Sequence, residues 1–164
     1  LDIGCGTGRF QGFVAPRFPQ LEIVGIDISR ALIEYAERAH GAPAVQFLHA
    51  DLMHFSAPPF DLITCIGVLQ KTSFDIEQFF SRAQLLLRSG GQLMVDTKNR
   101  NWERFAETGF VPEASMEWFD PAEIKAAAER AGFRTIEMMG FIPAEGQVVP
   151  LNGSHSFYLI AERL

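Results

Sequence analysis

Through the first hundred residues, short apolar runs of strand length alternate with segments whose apolar residues recur every three or four positions. That alternation is the pattern of βαβ units feeding a parallel sheet. Runs at 1–4, 22–27, 45–49, 60–66 and 92–96 predict five strands, most of them rich in Leu, Ile and Val, as strands covered on both faces should be. Leu32, Ile33 and Ala36 form one helical stripe, and Ile76, Phe79, Phe80, Ala83, Leu86 and Leu87 form a second. A third helix is predicted to open at Asp120, with Pro121 in its first turn and Glu123 completing a capping-box pattern, and to run through Ile124, Ala127, Ala128 and Ala131 to Gly132. Beyond it, 133–139 and 156–161 read as two further strands joined by a Pro- and Gly-containing loop, which suits a hairpin or a longer antiparallel return. The expectation is an α/β fold with a doubly wound, mostly parallel seven-stranded sheet whose last strand is antiparallel. A central parallel strand usually has about five or six residues. The run at 1–4 is shorter, so the first strand is expected to lack its amino half, and the chain reads as one domain, 1–164, excerpted from a larger protein.

Segment 98–117 breaks the periodicity. It carries Trp102, Phe105 and Phe110, with Trp118 and Phe119 just beyond, and is expected to be irregular or a short lid on the substrate side. Lys98, Arg100 and Arg104 lie within it, a cluster that suits attraction of an anionic substrate and equally suits a solvated loop.

Composition narrows the class. The 164 residues hold 14 Lys and Arg against 20 Asp and Glu, a net charge of −6. Dispersed negative charge disfavours a nucleic-acid partner, which requires concentrated cations. The longest apolar stretch, 62–69, is too short to cross a bilayer. Cys5 and Cys65 form no disulfide framework, and with His40, His49, His54 and His155 they show no metal-ligand spacing, so a reducing, cytoplasmic setting and no metal are expected.

The chemistry-bearing motif opens the chain: Leu1-Asp2-Ile3-Gly4-Cys5-Gly6-Thr7-Gly8, glycines at alternate positions between a strand and a helix. Residues without a Cβ let backbone approach a ligand closely, and the following helix offers unpaired N–H groups. A dinucleotide loop has the spacing G-x-G-x-x-G, which this loop does not match. Asp27 closes the second strand about twenty residues beyond Gly8, where a carboxylate suits the two hydroxyls of a ribose. Asp51, after the third strand, reaches the same sheet edge and suits an exocyclic adenine amine. Other readings stay open: a ligand-free turn for the glycines, a helix-capping role for Asp27 beside Ser29, and a solvated turn for Asp51.

In these pieces the sequence resembles the class I S-adenosylmethionine-dependent methyltransferases: LDIGCGTG, VGIDIS, HADLMHF, FDLITCIGVLQ and LLLRSGGQLMVDT occur in that family's order. The resemblance implies a Rossmann-like fold, S-adenosylmethionine as cofactor with S-adenosylhomocysteine as product, and a small-molecule methyl acceptor. It implies that Asp2, Gly4, Cys5, Gly6 and Gly8 hold the amino-acid part of the cofactor, with Asp2 toward its ammonium. Asp27 would grip the ribose and Asp51 the adenine amine, Ile28 and Leu52 would sandwich the ring, and Cys65, Ile66 and Gly67 would lie beside the methionine portion.

The chain also departs from the family. Where many relatives carry histidine after the fourth strand, it reads Leu69-Gln70-Lys71, and the Asn-Pro-Pro-aromatic signature of enzymes acting on adenine or glutamine nitrogens is absent. Catalytic residues stay unassigned; Gln70, Lys71, Asp96, Lys98 and His155 are candidates for a base or orienting group by position. Two rival functions remain. One is a cofactor-binding scaffold without catalysis; the other, disfavoured by the glycine spacing, is a nicotinamide-dependent oxidoreductase.

Overall fold

The computed structural model describes residues 1–71, 75–104 and 116–164. Eight strands form a single sheet: β1 (Asp2–Ile3), β2 (Ile23–Asp27), β3 (Val45–His49), β4 (Phe60–Cys65), β5 (Leu87–Lys98), β6 (Phe133–Ile142), β7 (Gln147–Val149) and β8 (Ser156–Arg163). Their spatial order is β3-β2-β1-β4-β5-β8-β6-β7. The first five are mutually parallel, while β8 runs antiparallel between β5 and β6, and β7 folds back antiparallel on β6. From β1 the chain builds outward in one direction through β2 and β3, then returns to build the other way from β4. The carboxyl ends of β1 and β4 therefore frame a topological switch point, where open α/β sheets place ligands.

Helices α1 (Arg9–Val14) and α2 (Arg30–His40) cover one face, and α3 (Ile76–Leu86) and α4 (Pro121–Arg130) the other. Each of the last three starts on the signal its sequence carries. Ser29 Oγ accepts from Leu32 N, Asp75 accepts from Gln78 N, and Asp120 with Glu123 closes a reciprocal capping box around Pro121. The main core joins Phe79 and Phe80 of α3 and Ile124, Ala127 and Ala128 of α4 to Ile63, Leu93 and Val95 of the sheet. Phe79 meets Phe80 edge-on with ring centroids 5.2 Å apart, and Phe80 meets Phe133 at 6.2 Å. Each such ring, fully buried, contributes about 1.5–3 kcal/mol. A smaller cluster of Cys5, Ile33, Ala36, Val45 and Phe47 seats α2 on the opposite face.

The sheet differs from the sequence expectation in three places. It has eight strands rather than seven: β7 is a three-residue strand whose Val148 is 71% exposed, so it buries too little apolar surface to leave a pattern. Strand β5 begins at Leu87, directly after α3, because Leu87 pairs with Phe60 and a register shift admits the residues through Gly91 before regular pairing resumes at Gln92. Strand β1 is confined to Asp2–Ile3, with Gly4 already turning away.

Among the described residues, no helix is long and apolar enough to cross a membrane.

Candidate functional site

A cavity of about 340 Å3 opens at the switch point, walled by Ile3, Gly4, Ile26, Asp27, Ile28, Leu32, Ala50, Asp51, Leu52, Gly67, Val68 and Lys71. Its size falls in the range of small-molecule sites. It gathers the ends of β1, β2, β3 and β4, from Ile3 to Cys65 in the chain, because parallel strands in register finish at one edge.

Asp27 is the best-anchored group of the wall. Its Oδ2 accepts from Gly6 N at 2.9 Å and its Oδ1 from Ser29 N at 2.8 Å, so the carboxylate ties the glycine loop to the end of β2 while facing the cavity. The helix-cap role falls to Ser29 Oγ, and Asp27 supports the turn that leads to it. Gly6 and Gly67 both stand at positive φ, +54° and +74°, and a Cβ built on either would meet nothing within 4 Å among the described residues. Backbone on two sides of the site thus borders open space, which side chains would fill. Gly4 and Gly8 share the left-handed geometry but are packed, against Val68 and against Phe47 and Ala36.

Ile28 projects from the wall with 76% of its surface exposed, whereas Leu52, also on the wall, is only 4% exposed and rooted in the main core. Asp51 forms a turn of its own: Oδ1 accepts from Met53 N at 2.9 Å and Oδ2 lies 3.4 Å from His54 Nδ1. This loop is held from beneath by Arg82 of α3, whose Nε and Nη2 donate to the carbonyls of Leu52 and Phe55. Arg82 is a supporting residue that periodicity does not reveal, since its partners are backbone carbonyls some thirty positions away.

Six of the twelve cofactor residues expected from the sequence meet on this wall: Gly4, Asp27, Ile28, Asp51, Leu52 and Gly67. Gly6 joins them through Asp27. Cys5 and Cys65 are buried in the two cores, and burial pushes both thiols up, Cys5 to about 12. Gly8 and Ile66 also lie off the wall. Asp2 lies off the wall as well. It is 6% exposed on the face opposite Ile3, where Oδ1 accepts from Thr64 Oγ1 and Oδ2 from Gln11 Nε2, each at 2.6 Å. Desolvation raises its pKa above the usual carboxylate range, against those two hydrogen bonds. Alternation along the short strand β1 decides this, since Asp2 and Ile3 face opposite ways.

At the methionine end suggested by the sequence, Asp96 Oδ1 accepts from Gly67 N at 2.5 Å. Farther along the same face, Lys98 Nζ donates to Ser156 Oγ at 3.1 Å, and His155 Nδ1 lies 3.0 Å from that hydroxyl. The His155 ring packs edge-on against Trp102 and Trp118, at 4.9 and 5.3 Å. The basic cluster seen in the sequence is largely committed elsewhere: Arg100 pairs with Glu123 and Arg104 with Glu145. Trp118 and Phe119 are buried, and Phe105 and Phe110 lie outside the described residues.

Chemically, the cavity offers carboxylate acceptors for hydroxyl and amine donors, apolar surfaces for a flat ring, and a glycine cradle for backbone approach. A methyltransferase domain family matches residues 1–93, more than half of the chain, and the chain belongs to it. It is a member of the class I S-adenosylmethionine-dependent methyltransferase superfamily. Among curated relatives, it is 31% identical over 122 residues to the U6 snRNA methylphosphate capping enzyme Amus of Drosophila melanogaster, covering 60% of this chain and 41% of that protein. It is 30% identical over 157 residues to the ubiquinone biosynthesis O-methyltransferase of Aromatoleum aromaticum, covering 85% of this chain and 65% of that one. The chain thus spans under two thirds of either relative's length. In fold it is similar to magnesium protoporphyrin IX methyltransferase from Synechocystis PCC 6803, solved with bound S-adenosylhomocysteine (TM-score 0.74, 19% identity, 99% of this chain and 73% of that one). It is also similar to a possible histamine N-methyltransferase from Thermotoga maritima (TM-score 0.75, 20% identity, 99% and 80%).

Proposed function

We propose that the chain forms one domain, 1–164, that binds S-adenosylmethionine in the switch-point cavity and transfers its methyl group to a small-molecule acceptor. The observation that carries this reading is the junction at Asp27: a cavity-facing carboxylate held by the N–H groups of Gly6 and Ser29, with open space above Gly6. Each Asp27 oxygen keeps acceptor capacity for a ribose hydroxyl. Asp51 would accept from the adenine amine, Ile28 and Leu52 would cover the two faces of the ring, and the loop Gly4–Gly8 with Gly67 would border the amino-acid portion. Asp2 would act at one remove, fixing the start of the loop through Thr64 and Gln11.

When bound, the cofactor supplies an electrophilic methyl on a positively charged sulfur, so direct in-line attack needs no covalent enzyme intermediate. The protein's own part is alignment and exclusion of water. A small-molecule acceptor is supported by the relatives named for ubiquinone biosynthesis and by the net charge of −6. One relative is an RNA-capping enzyme, which favours a second reading in which the acceptor is RNA.

Calorimetric titration of S-adenosylhomocysteine, with NAD as competitor and Asp27→Ala as control, tests the cofactor assignment. One-to-one binding that NAD does not displace and that Asp27→Ala abolishes is the expected result. Displacement by NAD supports the oxidoreductase rival, and no binding overturns the reading. Salt-dependent binding of a short RNA hairpin supports the RNA acceptor instead.

A further inference from the structure

We propose that Asp96 is the general base of the transfer, taking the proton from a hydroxyl acceptor; the inference rests on the cofactor reading above. Five residues compete by position, and the structure separates them. Gln70 is buried and has no titratable acceptor. Lys71 lines the cavity as a hydrogen-bond donor. Lys98 Nζ donates to Ser156 Oγ and His155 Nδ1 lies 3.0 Å from that same hydroxyl, and among the described residues neither side chain lines the cavity or bonds to a residue of its wall. Asp96 remains. Its Oδ1 binds the N–H of Gly67, a residue of the cavity wall, and among the described residues nothing lies within 4 Å of that glycine's open side and no group donates to Oδ2. One oxygen is therefore fixed at the wall, and no described residue donates to the other.

The groups around Asp96 suit a base. Lys98 follows two positions along β5, Tyr158 is its register partner on β8, Lys71 stands on the turn after β4, and Cys65 ends β4. Desolvation raises the Asp96 pKa, opposed by the Gly67 hydrogen bond and by Lys98, which makes it a stronger base than a solvated carboxylate. The step balances. The acceptor O–H gives its proton to Asp96, the oxygen lone pair forms the new O–C bond to the methyl carbon, and the C–S bonding pair stays on sulfur, which passes from sulfonium to neutral thioether. Asp96 then returns the proton to solvent. A carboxylate acceptor has no proton to give and would be repelled by Asp96, whereas a hydroxyl carries the proton a base must take, and a hydroxyl is the acceptor class proposed.

The test is Asp96→Asn, whose amide oxygen still accepts from Gly67 N. The first readout needs no acceptor. It is the calorimetric affinity ratio of sinefungin, which bears a protonated amine in place of the methylsulfonium, to S-adenosylhomocysteine. Wild type should favour the cation, and Asp96→Asn should reduce the ratio about tenfold while leaving the S-adenosylhomocysteine affinity within about twofold. An unchanged ratio places Asp96 away from the transfer point and overturns the proposal. Failure of wild type to bind either ligand instead overturns the cofactor reading, and this inference falls with it. The second readout is turnover of phenol, 4-hydroxybenzoate and benzyl alcohol against aniline, 4-aminobenzoate and benzylamine. Turnover of a hydroxyl probe, with kcat/KM falling about 100-fold or more in Asp96→Asn and the acid limb of its pH profile gone, is expected. Turnover confined to amines, turnover of none of the six, or a variant with the wild-type pH profile overturns the assignment.

Discussion

Gly6 and Asp27 are 21 positions apart, yet the backbone N–H of one lies 2.9 Å from the carboxylate of the other, so the glycine loop after β1 and the acid ending β2 form one unit. Ser29 N completes it from the other side. Asp27→Ala leaves both N–H groups without their acceptor and should lower stability by about 1–3 kcal/mol. Asp27→Asn keeps one oxygen acceptor and should cost less. Urea denaturation ranks the two, and S-adenosylhomocysteine titration should show affinity lost in both.

The alternate glycines should fail in different ways. A Cβ on Gly4 would lie 2.3 Å from Val68 Cγ2, at a φ of +71°. Gly4→Ala should therefore unfold more easily by about 1–3 kcal/mol, with partial rescue by Val68→Ala. At Gly6 the Cβ meets nothing, so Gly6→Ala should cost only about 1–2 kcal/mol of backbone strain while losing ligand affinity disproportionately. Thermal melts paired with titration separate the two patterns.

Ile28 is a large apolar side chain held almost wholly in solvent at the cavity wall. Ile28→Ala removes nothing from the core, so stability should stay within about 0.5 kcal/mol. If its surface is covered by the adenine ring, S-adenosylhomocysteine should bind about tenfold more weakly, the loss of roughly two buried methylenes. Equal affinity in the variant would exclude that contact.

Asp2 makes stability pH-dependent in a defined direction. Its folded-state pKa is raised, first by desolvation, so over the window from the ordinary carboxylate range up to that raised value the native state binds more protons than the unfolded chain. Its contribution is present below the unfolded pKa and is lost as pH rises through the folded one. Asp2→Asn should remove this slope, and its stability relative to wild type should grow with pH across that window in denaturant titrations. Gln11 Oε1, buried without a partner among the described residues, is positioned to receive the new amide if the Gln11 side chain turns over. Thr64→Val strips a hydrogen bond from the buried carboxylate and should cost about 1–3 kcal/mol.

Legible in the sequence were the α/β class, the parallel sense of the first five strands, the helix start at Asp120, the capping role of Ser29, and the glycine loop with its two acids, while the cap at Asp75 came only with the structure. These are local properties: period, cap and turn chemistry are written within a few neighbouring residues. The three-residue strand β7 left no such trace, because its edge position buries little apolar surface. Only the tertiary structure decided which way each side chain at the sheet's edge faces. One step along β1 sends Asp2 to Thr64 and Gln11 rather than to the cavity, and the β4–β5 register brings Asp96 to Gly67, 29 positions away. Alternation has a period of two, so which residues meet across strands depends on where each strand begins, and pairing across the sheet sets that.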